Sequence, residues 1–231
     1  MAERCLQVFL CISDVLPQSR VEEFRERFAR AAFVDGRRTA GIQAKVVKSN
    51  GQLDAGSPLY AEAASQICGA LQACELFQAA ALPRLLSPII INRYAPGMSY
   101  GSHVDNALMG SPSFRADVSF TLFLSEPDGY SGGELVIEDT SGDTPIKLSS
   151  GSLVLYSSTY LHRVEEVREG IRYAAVGWVQ SHVPLSEHRR LLFQLYQCRL
   201  AMSTDESNDC TNVARGLALI QSNLTRLWAV T

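Results

Sequence analysis

The feature that most constrains this chain is a run of short, alternating apolar segments between Pro83 and about Gln180, punctuated by Gly, Pro, Asp and Ser. The spacing predicts strands at Pro88–Tyr94, Ala116–Leu124, Gly133–Glu138, Ile146–Leu148, Leu153–Tyr156, His162–Val167 and Ile171–Gln180. Many short strands at short intervals point to a sandwich or jelly roll. Arg168-Glu169-Gly170 reads as a hairpin turn with Gly at the permissive position.

Both flanks follow a different period. Val21, Phe24, Phe28 and Ala31 recur every three or four residues within Pro17–Ala32, as in a helix with one buried face. A second helix is expected from about Leu59 to Ala80, rich in Ala, Leu and Gln. Between them, Ile42–Val47 alternates like a strand, and Cys5–Ile12 reads as a first strand. After Pro184 the pattern is helical again, with Leu185, Leu191, Leu192 and Leu195 on one face. A polar loop follows at Ser203–Asn212, then a last helix to about Trp228. The expected organisation is a supporting segment over residues 1–83, a β-domain over 84–181 and a helical segment over 182–231. The class is α+β with a mainly β core.

Composition narrows the function. The chain has 231 residues, 46% hydrophobic and 19% charged, with 21 basic and 24 acidic side chains, a net charge of −3. A weakly acidic chain has no general electrostatic grip on nucleic acid or anionic lipid, so neither is expected as a partner. No apolar stretch approaches the ~20 residues of a membrane span. The six cysteines form no C-x-x-C pair, and reduced thiols in a cytoplasmic protein are the expectation.

Two of the four histidines fall in the β-region. His103-Val104-Asp105 is an H-x-D, and residues two apart on an extended strand face the same way. Two histidines and one carboxylate on one face of an octahedron leave three positions open, as non-haem iron(II) oxygenases require. His162, which begins a later strand, is the candidate third ligand. The spacing alone is a weak signal, because a turn histidine bonded to a nearby aspartate looks the same. Arg172 shares parity with Ala174, Val176 and Trp178, which puts a guanidinium on an otherwise apolar face. Such a group needs an anion. The far carboxylate of 2-oxoglutarate suits its planar fork, and so does an ion pair with Glu165 or Glu166. Tyr94 and Tyr100 flank the approach to His103, either as hydroxyl donors to the cosubstrate or as packing aromatics. Asn92, Leu122 and Leu135 are further candidates to line the pocket.

With these residues in view, the sequence resembles the PKHD-type hydroxylases, relatives of the prolyl 4-hydroxylase catalytic domains. The resemblance runs through Asn92-Arg93-Tyr94, Gly97 to Asp105, Asp117-Val118-Ser119, Leu122 to Ser125, Tyr130 to Leu135, Gly151 to Tyr156, His162, Arg172 and Trp178 to Ser181. Val34-Asp35-Gly36-Arg37 extends it toward the N-terminus, with Phe33 where the family commonly has Trp. It implies a double-stranded β-helix, iron(II) on His103, Asp105 and His162, and 2-oxoglutarate on Arg172. It also implies ascorbate as reductant. Related halogenases lack the carboxylate ligand, so Asp105 favours hydroxylation. The substrate, a small molecule or a peptide or protein side chain, is not named by the sequence, nor is a homo-oligomer decided. Two other readings stay open: a cupin-like metal protein, and a non-catalytic sensor of 2-oxoglutarate or iron.

Overall fold

The structure, a computed structural model, describes residues 9–39, 45–202 and 208–230. Two antiparallel sheets face each other. The larger has eight strands, in the order Phe9–Ile12, Leu153–Ser157, Val118–Phe123, Arg172–Ser181, Ile90–Tyr94, Gly51–Leu53 and Phe33–Asp35, with Pro83–Leu86 also pairing on Arg172–Ser181. The smaller runs Gly142–Ile146, Leu135–Asp139, Leu161–Val164, Ser99–His103 and Lys48–Ser49. Four strands preceding Pro83 therefore complete the two sheets. This is the expected double-stranded β-helix with flanking helices.

Strand alternation divides the apolar residues between two cores. Val118, Phe120, Leu122, Leu153, Leu155, Tyr173 and Ala175 point outward and pack on the helices. Their neighbours Phe123, Val154 and Tyr156 point inward and meet Leu135, Ile137 and Val164 of the smaller sheet. Leu122 thus belongs to the helix-facing core and does not line the pocket. Gly177 sits opposite Phe120, and a Cβ there would lie 2.6 Å from the Phe120 ring. The glycine gives that ring room to meet Phe77 edge-on, with centroids 6.0 Å apart.

The first helix, Gln18–Phe28, buries Val21, Phe24 and Phe28, as its period predicts. The second opens with Ser57 accepting from the Tyr60 amide and Pro58 in the first turn, both favourable at a helix start. The single helix expected over Leu59–Ala80 is two, Pro58–Ala73 and Glu75–Ala81, separated by extended Cys74. Leu71 and Phe77 both enter the core, yet six residues of unbroken helix would separate them by about 240°. The break re-aims the second helix.

Other expectations shift locally. Lys45 and Val46, the described start of what alternation suggested was a strand, are helical; the rest of Ile42–Ala44 and most of Cys5–Phe9 lie outside the described residues. Arg168-Glu169-Gly170 is not a hairpin turn. Val167–Gly170 is a strand paired with Tyr130–Gly132, so the chain crosses between sheets there. Gly170 has φ +73°, and a Cβ there would lie 2.2 Å from the Gly129 carbonyl oxygen, so the position calls for glycine. The predicted Ile146–Leu148 strand falls earlier, at Gly142–Ile146, where it can hairpin with Leu135–Asp139. At the C-terminal end, Ser186–Met202 and Asn208–Trp228 are helical, so Asn208–Asn212 extends the last helix rather than the loop. Of the leucines expected on one face, only Leu192 is buried, while Leu185 and Leu191 are exposed. Consecutive helical residues differ by about 100°, so Leu191 and Leu192 cannot both face inward.

Candidate active site

His103 ends its strand and pairs in register directly with His162, the second residue of Leu161–Val164. Asp105 lies just beyond the strand end, so the H-x-D reaches one point from a strand terminus and not from a strand interior. The ligand atoms of His103, Asp105 and His162 all lie within 4.8 Å of one another. The two imidazole centroids are 4.3 Å apart, and His162 Nε2 is 3.9 Å from Asp105 Oδ2.

The local backbone fixes the tautomers. His103 Nδ1 is 2.8 Å from the Gly101 carbonyl and His162 Nδ1 is 3.1 Å from the Tyr160 carbonyl. A carbonyl only accepts, so both Nδ1 atoms carry hydrogen and both Nε2 lone pairs are free for a metal. Burial, reinforced by His162, pushes His103 down to about 4, which keeps it neutral at neutral pH. On the carboxylate side, the Ser119 hydroxyl donates to Asp105 Oδ2 at 2.6 Å. Ser119 Oγ is also 2.8 Å from Ser158 Oγ. Since the Ser119 proton is committed to the acceptor-only carboxylate, Ser158 is the donor of that pair. Two imidazoles oriented by backbone carbonyls and an oriented carboxylate form a donor set that suits iron(II).

Arg172 stands opposite Tyr94 in the facing register of the larger sheet, with its guanidinium 5.1 Å from the Tyr94 ring centroid and 5.5 Å from that of Phe123. It is 1% exposed, and its Nε has no hydrogen-bond partner. The Tyr130 hydroxyl lies buried beside the guanidinium; burial raises its phenol and Arg172 pulls it back in part. Among the described residues no carboxylate comes within ion-pair distance of Arg172. Glu165, one of the two expected alternatives, pairs with Arg163 at 2.8 Å. A buried guanidinium with an orphan N–H is costly unless an anion completes it, and a carboxylate ligand fits that need.

The two tyrosines take different places. Tyr100 stacks on His103, with ring centroids 3.7 Å apart, and burial raises its phenol. Tyr94 lies under the Arg172 guanidinium, and burial raises its phenol too, partly offset by Arg172 and by Asn50. Asn92 is drawn into a buried amide cluster, accepting from Asn50 Nδ2 at 2.9 Å and Gln52 Nε2 at 3.2 Å. Leu135 belongs to the buried apolar cluster that includes Tyr94 and Phe123.

Sequence reasoning passed over Ser119, Ser158, Tyr130 and Lys48. Ser119 had a signal: it alternates with Val118, Phe120 and Leu122, so it had to face away from the helices. Lys48 had none. Its ammonium lies 4.9 Å from the Tyr100 ring centroid, and burial lowers it to about 8 against the attraction of Asp105 and Asp35.

Residues 89–180 match the 2OG-Fe(II) oxygenase superfamily. The chain is 43% identical over 222 residues to a PKHD-type hydroxylase of Rippkaea orientalis, covering 96% of this chain and 99% of that one. It is 42% identical over 228 residues to one of Xanthomonas campestris pv. campestris, covering 96% and 99%. Among solved structures it is similar in fold to a Pseudomonas putida prolyl-4-hydroxylase, with TM-score 0.51, 20% identity and coverage of 76% and 94%. A Trichoplax adhaerens prolyl hydroxylase, solved with a hypoxia inducible factor peptide fragment, gives TM-score 0.53 at 15% identity, covering 81% and 87%. Fold, matched region and full-length identity agree: the chain belongs to the PKHD-type hydroxylases and is an iron(II)- and 2-oxoglutarate-dependent dioxygenase.

Proposed function

We propose that His103, Asp105 and His162 hold the iron and that Arg172, with Tyr94 beneath it, holds the far carboxylate of 2-oxoglutarate. The observation that carries this reading is the fully buried Arg172 guanidinium, which has an unpartnered Nε and no carboxylate of the described chain beside it. When bound, iron and 2-oxoglutarate supply the oxidising chemistry: dioxygen is consumed, 2-oxoglutarate leaves as succinate and carbon dioxide, and a hydroxyl goes to the substrate.

The chain's own residues set the geometry. Gly101 and Tyr160 carbonyls hold both imidazoles with Nε2 toward the ion. Ser119, itself held by Ser158, turns the Asp105 carboxylate. Tyr100 braces His103 by stacking and offers its hydroxyl to the cosubstrate. His103, Asp105 and His162 would hold the ion with three protein ligands, so that 2-oxoglutarate and dioxygen could also reach it.

Residues 84–181 form the catalytic domain in this reading, with 1–83 supporting it and 182–231 appended. Ascorbate serves as the reductant that keeps the iron ferrous. The substrate is a small molecule or a peptide or protein side chain. The cytoplasm is the proposed location; five described cysteines without disulfides fit a reducing compartment, and no described helix is long and apolar enough to cross a membrane.

The test needs no substrate. Iron(II) and then 2-oxoglutarate are added to the apoprotein without oxygen, and the visible charge-transfer band is followed. A band that is lost in His162→Ala and weakened in Arg172→Ala is expected. Normal iron binding with no band would overturn the Arg172 site and favour a cupin-like metal protein. A normal band without succinate release under any substrate screen would favour a sensor.

A further inference from the structure

The last helix, Asn208–Trp228, is 21 residues long and buries none of its described side chains completely. Val213, Leu217, Ile220, Leu224 and Leu227 follow one another at spacings of four, three, four and three. That is the a/d pattern of a coiled-coil seam. Half of the seam is used within the chain: Leu217 and Leu224 are half-buried. The other half is open to solvent, with Val213 52% exposed, Ile220 49% and Leu227 76%. We infer that this open seam is the interface for a second copy of the same chain, packed antiparallel about a two-fold axis at Ile220.

Three observations choose a second copy over another occupant. First, the seam reads nearly the same in both directions. Val213 and Leu227 lie seven residues either side of Ile220, and Leu217 and Leu224 lie three and four away. A two-fold axis at Ile220 therefore sets Val213 against Leu227 and Ile220 against itself, as an isologous contact requires. Second, the positions that flank the seam are Ala214, Gly216, Gln221, Asn223 and Trp228, all uncharged. No like charges meet across the axis, and no charge pattern selects a foreign helix. Arg215 and Arg226 sit away from the seam. Gly216 would face Leu224 of the second copy, where the missing side chain allows close approach. Third, the area suffices. The last helix packs along Ser186–Met202, so the two together offer a face about 30 Å long and roughly 20 Å wide, and each copy would cover roughly 600 Å². The sum over both copies, about 1,200 Å², reaches the lower bound of specific stable interfaces.

Sedimentation velocity on the full-length chain tests this, between about 1 and 100 µM in the concentration range where standard interfaces are populated. The chain mass is 25.3 kDa, so the dimer is 2 × 25.3 = 50.6 kDa. Wild type is expected to sediment as the dimer. Ile220→Glu places two carboxylates at the axis and should weaken association by at least about 100-fold. Leu227→Glu, near the helix end, repeats the test at a position that does not threaten folding. Leu219→Glu, exposed but off the seam, should leave the dimer intact. Unchanged circular dichroism and an unchanged charge-transfer band with iron and 2-oxoglutarate show that the variants are folded. A wild-type monomer at 100 µM overturns the inference. So does a dimer that survives both Ile220→Glu and Leu227→Glu, since the contact must then lie elsewhere.

Discussion

Replacing Arg172 by leucine should cost 2-oxoglutarate affinity while changing the stability of the apoprotein little. The guanidinium is 1% exposed, faces the Tyr94 and Phe123 rings and the Tyr130 hydroxyl, and keeps an unpartnered Nε with no carboxylate of the described residues in ion-pair range, so the protein alone does not neutralise it. Removing one partner of a buried, hydrogen-bonded charge pair costs about 2–5 kcal/mol. At about 1.4 kcal/mol per decade, that is roughly a 30- to 4,000-fold rise in the dissociation constant for 2-oxoglutarate. The apoprotein feels two opposed effects. Leucine removes a buried charge that lacks an ionic partner, a change that is neutral or stabilising by about 1–4 kcal/mol. It also removes the cation–π contacts with Tyr94 and Phe123, about 1–2 kcal/mol together. The net effect lies between a loss of about 2 kcal/mol and a gain of about 3 kcal/mol, or roughly −8 to +12 °C in melting temperature for a chain of this length. The assays are anaerobic titration of the charge-transfer band and thermal melts with and without 2-oxoglutarate. Wild-type affinity in Arg172→Leu would refute the cosubstrate assignment. A fall of about 10 °C in the melting temperature of the apoprotein would show that an internal partner already satisfies the guanidinium.

Other perturbations read different parts of the site. Asp105→Ala should abolish hydroxylation and sharply weaken iron binding; full activity in succinate release would reject Asp105 as a ligand. Ser119→Ala frees the Asp105 carboxylate and should lower iron affinity about 10- to 100-fold, measured by competition with a chelator, with the charge-transfer band still attainable at high iron. Gly132 has φ +71°, and a Cβ there would lie 2.0 Å from the Glu166 carbonyl oxygen, so Gly132→Ala should destabilise by more than about 2 kcal/mol in urea unfolding. Lys48 is lowered from 10.5 to about 8 by burial, which means that the folded state holds this proton less tightly than the unfolded chain. Its penalty is fully present below about pH 8 and is relieved as pH rises from 8 to 10.5. Lys48→Met should therefore unfold at higher urea than wild type at pH 7, with the advantage shrinking across that window.

By itself the sequence determined the fold class and most of the β-core, because a period of two forces residues to opposite faces. Val118–Phe123, Leu153–Ser157 and Arg172–Ser181 were legible for that reason, and the parity of Arg172 placed it inside. His103 and Asp105 were legible as a pair because they are close in sequence, and His162 because few histidines competed for the third place. Periodicity gave no account of long-range pairing. It predicted a hairpin at Arg168-Glu169-Gly170, whereas that segment pairs with Tyr130–Gly132 and carries the chain from one sheet to the other. It ran one helix through Cys74, where the core needed a change of direction. It left Leu122 a candidate to line the pocket, since alternation separates two faces without saying which one meets the helices. Ser158 and Lys48 come to the candidate metal site from 53 residues after and 57 before Asp105. Only the folded chain decides such neighbours, because their proximity is set by strand pairing and not by any local pattern. The same holds for the unpartnered state of Arg172: the sequence showed that its charge needed an anion, and only the packing showed that the described chain offers none.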